Sequence, residues 1–164
     1  MCVGKTTAAQ YMISKYRYEH IALADKLKEI AIDMFGLHSK DGPYRNLLQD
    51  LGLYFRSLDE DVWVKYLLGE LSPTKKYVLD DMRFVNEARL LDESGFTLIK
   101  LNCQESIRQK RVLRLYPNTD SSALLHESET SIYKIDDEVG FDCEVSSSYL
   151  LEMYQSLDHT FGGI

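Results

Sequence analysis

The chain has 164 residues and a mass of 19.0 kDa, enough for one domain with its own core and short for two. Its 45% hydrophobic content excludes a disordered chain, and 9 glycines with 3 prolines exclude a linker-dominated one. With 19 Lys and Arg against 26 Asp and Glu, the formal charge of −7 disfavours sequence-independent binding to nucleic acid. No run approaches the roughly 20 apolar residues that span a bilayer. Met1 to Thr7 lacks the apolar stretch of a signal peptide, so a soluble cytoplasmic protein is expected. Cys2, Cys103 and Cys143 are widely spaced with no CxxC, which predicts buried thiols rather than a disulfide frame or a zinc site.

In chain order, Gly4-Lys5-Thr6-Thr7 opens a helix expected from Lys5 to about Tyr16. Glu19 to Ala22 has room for a short strand. Over Asp25 to Phe35, the residues Leu27, Ile30, Ala31, Met34 and Phe35 keep the spacing of an amphipathic helix, and Gly36 supplies its stop. A loop at His38 to Pro43 precedes a second stripe, Leu47, Leu48, Leu51, Phe55 and Leu58. A further helix from Asp61 carries Trp63, Val64, Leu67, Leu68 and Leu71 and ends before Ser72-Pro73. Tyr77-Val78-Leu79 reads as a strand closing on Asp80-Asp81. A helix over about Asn86 to Glu93 leads through Gly95 to a strand over Phe96 to Leu101. Gln104 to Leu115 predicts a helix bearing Arg108, Lys110, Arg111 and Arg114. Tyr116 to Asp137 has poor periodicity and reads as a flap. A strand near Phe141 to Val145 and a helix from Tyr149 to Leu157 follow. Strands alternating with helices predict an α/β fold, a mainly parallel sheet with helices on both faces. In such sheets ligands bind beyond the carboxyl ends of the strands.

Gly4-Lys5-Thr6-Thr7 is the second half of the P-loop pattern GxxxxGK[ST]; its first glycine would fall ahead of Met1. A helix start offers unpaired N–H groups and a positive dipole end to phosphate. Lys5 can reach terminal phosphates, and the Thr6 hydroxyl can bind Mg²⁺. Asp80, Asp81 and Arg83 follow an apolar strand, where one aspartate can hold Mg²⁺ beside that threonine or, equally, cap a helix. Arg45 and Arg56 offer guanidinium forks for a phosphate monoester, or surface salt bridges to Asp50, Asp59 or Glu60. Lys110, Arg111 and Arg114 share a helix face and can be delivered by the flap or form a solvated face. Asp25 can contact a ligand or cap the helix that follows it. His126-Glu127-Ser128-Glu129 has no metal-ligand spacing, and His20, His38 and His159 show no partner pattern.

Taken together, these segments resemble the deoxynucleoside monophosphate kinases of phages and large viruses, a branch of the P-loop nucleoside monophosphate kinase superfamily. Gly4-Lys5-Thr6-Thr7 is similar to that family's P-loop end, and Leu23-Ala24-Asp25-Lys26-Leu27-Lys28-Glu29 resembles its ADPLKE segment with Lys26 in place of proline. Arg45-Asn46-Leu47-Leu48-Gln49-Asp50-Leu51-Gly52 resembles RxLLQxLG, followed by Asp61-Val62-Trp63. Val78-Leu79-Asp80-Asp81-Met82-Arg83-Phe84-Val85-Asn86-Glu87 is similar to VISDVRFPNE, which aligns Asp81 and Arg83 with its functional pair. His126-Glu127-Ser128-Glu129-Thr130 matches HxSET. The late FDxxIxNxG segment is kept only at Phe141, Asp142 and Val145, with Ser147 where asparagine is expected.

The resemblance implies a three-layer α/β/α kinase domain over 1–164, with acceptor-binding helices at about 44–71 and a lid at about 108–137. The first central strand would be missing, leaving its two neighbours exposed; Met1 is expected to be an internal methionine of a protein that begins upstream. It implies transfer of the ATP γ-phosphoryl group to a (deoxy)nucleoside monophosphate. Gly4, Lys5, Thr6 and Thr7 would bind ATP, and Thr6 with Asp81 would hold Mg²⁺. Lys5, Asp81, Arg83, Arg111 and Arg114 would be catalytic; Asp25, Arg45, Arg56 and Glu129 would bind the acceptor. The partners implied are small nucleotides, with no nucleic acid or membrane, and a homodimer stays open. So do an impaired nucleotide-binding or scaffold relative and a kinase for another phosphorylated acceptor, such as dephospho-coenzyme A or phosphomevalonate.

Overall fold

A computed structural model describes residues 2–36, 42–115 and 134–162. Helix α1 (Lys5–Tyr16) leads to strand β1 (Glu19–Ile21), then α2 (Ala24–Phe35), α3 (Gly42–Leu58) and α4 (Val62–Glu70). Strand β2 (Tyr77–Leu79), α5 (Val85–Glu93), β3 (Ile99–Asn102), α6 (Glu105–Leu115), β4 (Cys143–Ser146) and α7 (Leu150–Phe161) follow. A single helical turn stands at 134–138. No helix among the described residues is long and apolar enough to cross a membrane.

The strands pair in parallel as two couples, Glu19 to Ile21 of β1 against Tyr77 to Leu79 of β2, and Ile99 to Asn102 of β3 against Cys143 to Ser146 of β4. Among the described residues no ladder joins β2 to β3. The strand layer is therefore split at its middle, with two helix layers closing over it.

Side-chain alternation along the strands assigns each helix to a layer. Val78, Ile99, Leu101 and Val145 pack with Ala8 and Met12 of α1 and with Met153, Leu157 and Phe161 of α7. Ile21, Leu79 and Leu98 pack on the opposite side with α2, α4 and α5, around Leu27, Val64, Leu67, Ala88 and Leu91. The three-layer α/β/α architecture is the one expected, including the open middle.

Several boundaries move for identifiable reasons. The third predicted strand begins at Ile99, not Phe96. Its first amides are engaged elsewhere: Phe96 N–H donates to the Leu91 carbonyl closing α5, and Leu98 N–H to Asp142 Oδ2 at 2.6 Å. The last helix runs on to Phe161, four residues past Leu157, because Phe161 is a core residue and Asp158 ties the helix to α1. Residues 116–133 of the expected flap lie outside the described residues. At its end, Ile135 is 2% exposed within the α2–α4–α5 core and anchors the turn at 134–138, whose other residues are exposed. The three cysteines are free thiols, partly exposed rather than buried.

Candidate active site

Helix α1 begins where Gly4 adopts a left-handed φ of 104°, a conformation that a side chain would strain. The first helical bond closes from Ala8 N–H to the Gly4 carbonyl at 2.9 Å. The preceding N–H groups of the first turn have no intrahelical acceptor. No acidic residue of α1 itself stands in that turn, so the dipole end is not neutralised from within the helix.

The head of α1 lies at the carboxyl ends of both strand couples. Thr6 Oγ1 donates to Asp80 Oδ2 at 2.8 Å, one residue past β2. A Cβ added to Gly4 would lie 3.6 Å from that of Ser147, one residue past β4. The two couples therefore run in the same direction, and their ends meet at the Gly4-Lys5-Thr6 turn.

Four charged groups converge there. Lys5 is exposed to solvent, but its surroundings partly desolvate the ammonium, and Arg83 adds repulsion. Together they hold the Lys5 pKa below the usual lysine range, against the opposing pull of Asp80 and Asp81. Burial pushes the Asp80 carboxyl up; hydrogen bonds from His20 and Thr6, with the charges of His20 and Lys5, outweigh that and leave it below the usual carboxylate value. The His20 Nε2 lies 2.9 Å from Asp80 Oδ1.

The two adjacent aspartates have separate tasks. Asp81, aligned with Mg²⁺ binding by resemblance, does not reach Thr6: its Oδ1 accepts from Leu23 N–H at 2.9 Å and its Oδ2 from Ala24 N–H at 3.0 Å. It thus supplies the anion at the start of α2. Asp25 is consequently not the cap of that helix; it stands exposed in the first turn and accepts from Lys28 Nζ at 2.7 Å. The hard-oxygen pair that fits Mg²⁺ is Thr6 with Asp80. Among the described residues no three His, Cys, Asp or Glu side chains cluster as a metal cage, so an ion here would take its other ligands from phosphate and water.

Arg56 is held by Glu87, which is 2% exposed. Glu87 Oε1 accepts from Arg56 Nη2 at 3.0 Å, while Oε2 accepts the N–H groups of Arg83 at 2.9 Å and Phe84 at 3.1 Å. The Arg56 guanidinium lies 4.6 Å over the Phe84 ring. Its Nε is buried and has no partner among the described residues. The surface carboxylates Asp50, Asp59 and Glu60 are thus not the partner of Arg56. Arg45 lies in α3, but its side chain is outside the described residues, as are Glu129 and the whole His126 to Thr130 segment.

Arg111 is engaged by acceptors at the end of β4 and at the start of α6. Its Nη2 donates to the carbonyls of Ser147 and Ser148 at 2.8 Å each, and Nη1 to Cys103 Sγ at 3.3 Å, so it ties α6 to the end of β4. Arg114 is exposed in the last turn of α6. His20 and Glu87 are the two residues that sequence reasoning passed over. The signal for His20 was its place on a strand leading to the ligand edge; Glu87 stood inside the quoted VISDVRFPNE-like segment without a role.

No family model matches the chain, and no curated protein matches it. Among solved structures it is similar to a gluconokinase from Sinorhizobium meliloti 1021, with a TM-score of 0.55 and 17% identity over 94% of this chain and 83% of that one. At that identity the likeness is one of fold alone, a helix-rich α/β fold with short parallel strands.

Proposed function

We propose that this protein is an ATP-dependent phosphotransferase whose acceptor carries a phosphate monoester, with (deoxy)nucleoside monophosphates the first choice. The observation that carries the reading is the Thr6–Asp80 hydrogen bond at 2.8 Å, made at a glycine-started helix with Lys5 and Arg83 in the same electrostatic cluster. The helix start would bind the donor's phosphates through its free N–H groups. Lys5 would offset their charge; desolvation and the neighbouring Arg83 hold its pKa below the usual lysine range. Thr6 and Asp80 would hold Mg²⁺, which when bound neutralises charge between donor phosphates. Arg83 would bring a fixed positive charge to the transferring group.

An acceptor that already bears an anionic oxygen suits this site. Both oxygens of Asp80 and both of Asp81 accept hydrogen bonds, which leaves neither placed as a ready base for an alcohol. Catalysis then rests on alignment and charge rather than on proton removal. The gluconokinase likeness favours a second reading, a polyhydroxylated acid as acceptor.

ATP consumption measured against a panel of deoxynucleoside monophosphates, dephospho-coenzyme A, phosphomevalonate and gluconate separates these readings. Turnover with a nucleoside monophosphate is expected. Lys5→Ala and Asp80→Asn should each lower it by about a hundredfold or more with the circular dichroism spectrum unchanged. Full turnover in both variants would remove the assignment, and turnover confined to gluconate would replace it with the second reading.

A further inference from the structure

Strand period decides which side chains reach the head of α1. In the parallel ladder His20 of β1 is level with Val78 of β2, and residues so paired show their side chains on the same face. Val78 packs in the core formed with α1 and α7, so that face is the one α1 covers. Asp80 follows Val78 by two residues and keeps its side. Asp81 follows Leu79, which packs in the opposite core, and it reaches the start of α2 instead. Register therefore brings the His20 ring to Asp80 and to no other carboxylate of the pair.

Each oxygen of Asp80 has its own partner. Oδ2 accepts from Thr6 Oγ1 at 2.8 Å, and Oδ1 lies 2.9 Å from His20 Nε2. An ionised carboxylate only accepts, so the ring nitrogen that faces it carries the proton. The Asp80 side chain is 15% exposed and that of His20 41%, so the carboxylate is enclosed while the ring can be replaced without opening a core.

We propose that His20 is a specificity-determining residue for the ion held by Thr6 and Asp80: by occupying Oδ1 it leaves Asp80 a single oxygen to give, which favours Mg²⁺ over Ca²⁺. This inference rests on the phosphotransfer reading above. Mg²⁺ demands near-octahedral geometry at short range, whereas Ca²⁺ takes about six to eight oxygens and accepts a carboxylate through both of its own. His20 does not touch the ion; it acts through Asp80, as partners behind a ligating carboxylate do. With the ring gone, Oδ1 is free to turn toward the ion and the larger cation gains a second bond.

Calorimetric titration of the full chain with a non-hydrolysable ATP analogue, once as its Mg²⁺ complex and once as its Ca²⁺ complex, tests this. The unaltered chain should bind the Mg²⁺ complex at least about tenfold more tightly, and His20→Ala should reduce that preference below about threefold. His20→Gln, whose side-chain amide offers an N–H donor at similar reach, should keep it. His20→Leu, which fills the ring's space without a donor, should behave as His20→Ala and replaces it if the smaller side chain prevents folding. An unchanged preference in the variants without a donor would overturn the proposal. So would an equal loss of affinity for both complexes, the mark of a merely structural role, or loss of the preference in His20→Gln as well. An unaltered chain that binds both complexes equally removes the proposal and leaves the phosphotransfer reading standing; one that binds neither removes both.

Discussion

At the residue scale, neighbouring groups of the same chemistry do different work because their surroundings differ. Asp80 and Asp81 are adjacent, yet one faces Thr6, His20 and Lys5 while the other is spent on the start of α2. Asp81→Ala should therefore act first on stability, lowering it by about 1 kcal/mol in urea denaturation through loss of the helix-start acceptor. Asp80→Asn should act on turnover and leave stability nearly unchanged; the reverse pattern would restore Asp81 as the metal-binding partner of Thr6. A second case is Asp158, which accepts from Lys15 Nζ at 2.6 Å and from the Tyr11 and Tyr16 hydroxyls at 2.7 Å each. The Lys15 bond foremost, then Tyr16 and Tyr11, lowers its pKa to about 2. A carboxyl lowered on folding stabilises fully above its unfolded value near 4, and that contribution fades as pH falls toward 2. Thermal melts from pH 5 to pH 2 should then show a steeper loss for the parent chain than for Asp158→Asn, and equal slopes would contradict the linkage.

At the element scale, the helices are placed by contacts from outside themselves. None of α1, α2, α4, α5 and α7 has a side-chain hydrogen bond from its own residue at the N-cap position. Asp81 serves α2 from the segment between β2 and α5, and Glu87 reaches back from the first turn of α5 to the N–H groups of Arg83 and Phe84. Glu87 also fixes α3 by its ion pair with Arg56, with both groups largely removed from water. Glu87→Ala leaves that guanidinium without its partner and frees two N–H groups. It should cost about 3 kcal/mol in chemical denaturation, a value typical of breaking a buried pair. A loss below about 1 kcal/mol would mean that solvent replaces the carboxylate, as at exposed pairs. The same mechanism explains why Asp25 failed as a cap: a local acidic residue competes poorly with the half-buried Asp81 carboxylate already aimed at the N–H groups of Leu23 and Ala24.

At the scale of the whole molecule, two cores lie on opposite faces of a divided strand layer. Leu91 belongs to one and Met153 to the other, each about 1% exposed. Leu91→Ala and Met153→Ala should each cost about 3 kcal/mol by removal of buried methylenes. Because the two sites share no core neighbour, the double variant should show the sum within about 0.5 kcal/mol. A coupling larger than that, measured by urea denaturation, would show that the cores communicate across the strand layer. β2 and β3 each have a partner on one side alone among the described residues.

Local pattern was sufficient for much of this protein. The apolar stripes of α2, α3 and α4, the run Tyr77-Val78-Leu79, and the glycine at the head of α1 fixed element type and order, since each is a short-range consequence of side-chain period or backbone freedom. The parallel arrangement with helices on both faces followed from strand and helix alternation, and the helix start at Gly4-Lys5 from its local sequence. What needed the tertiary structure was every choice between chemically equivalent groups: Asp80 over Asp81 beside Thr6, Glu87 over the surface carboxylates as the partner of Arg56, carbonyls at Ser147 and Ser148 as the anchor of Arg111. The physical reason is common to all of them. Hydrogen bonds and ion pairs are decided over a few ångströms between residues tens of positions apart in sequence, and only the packed chain brings those atoms within reach.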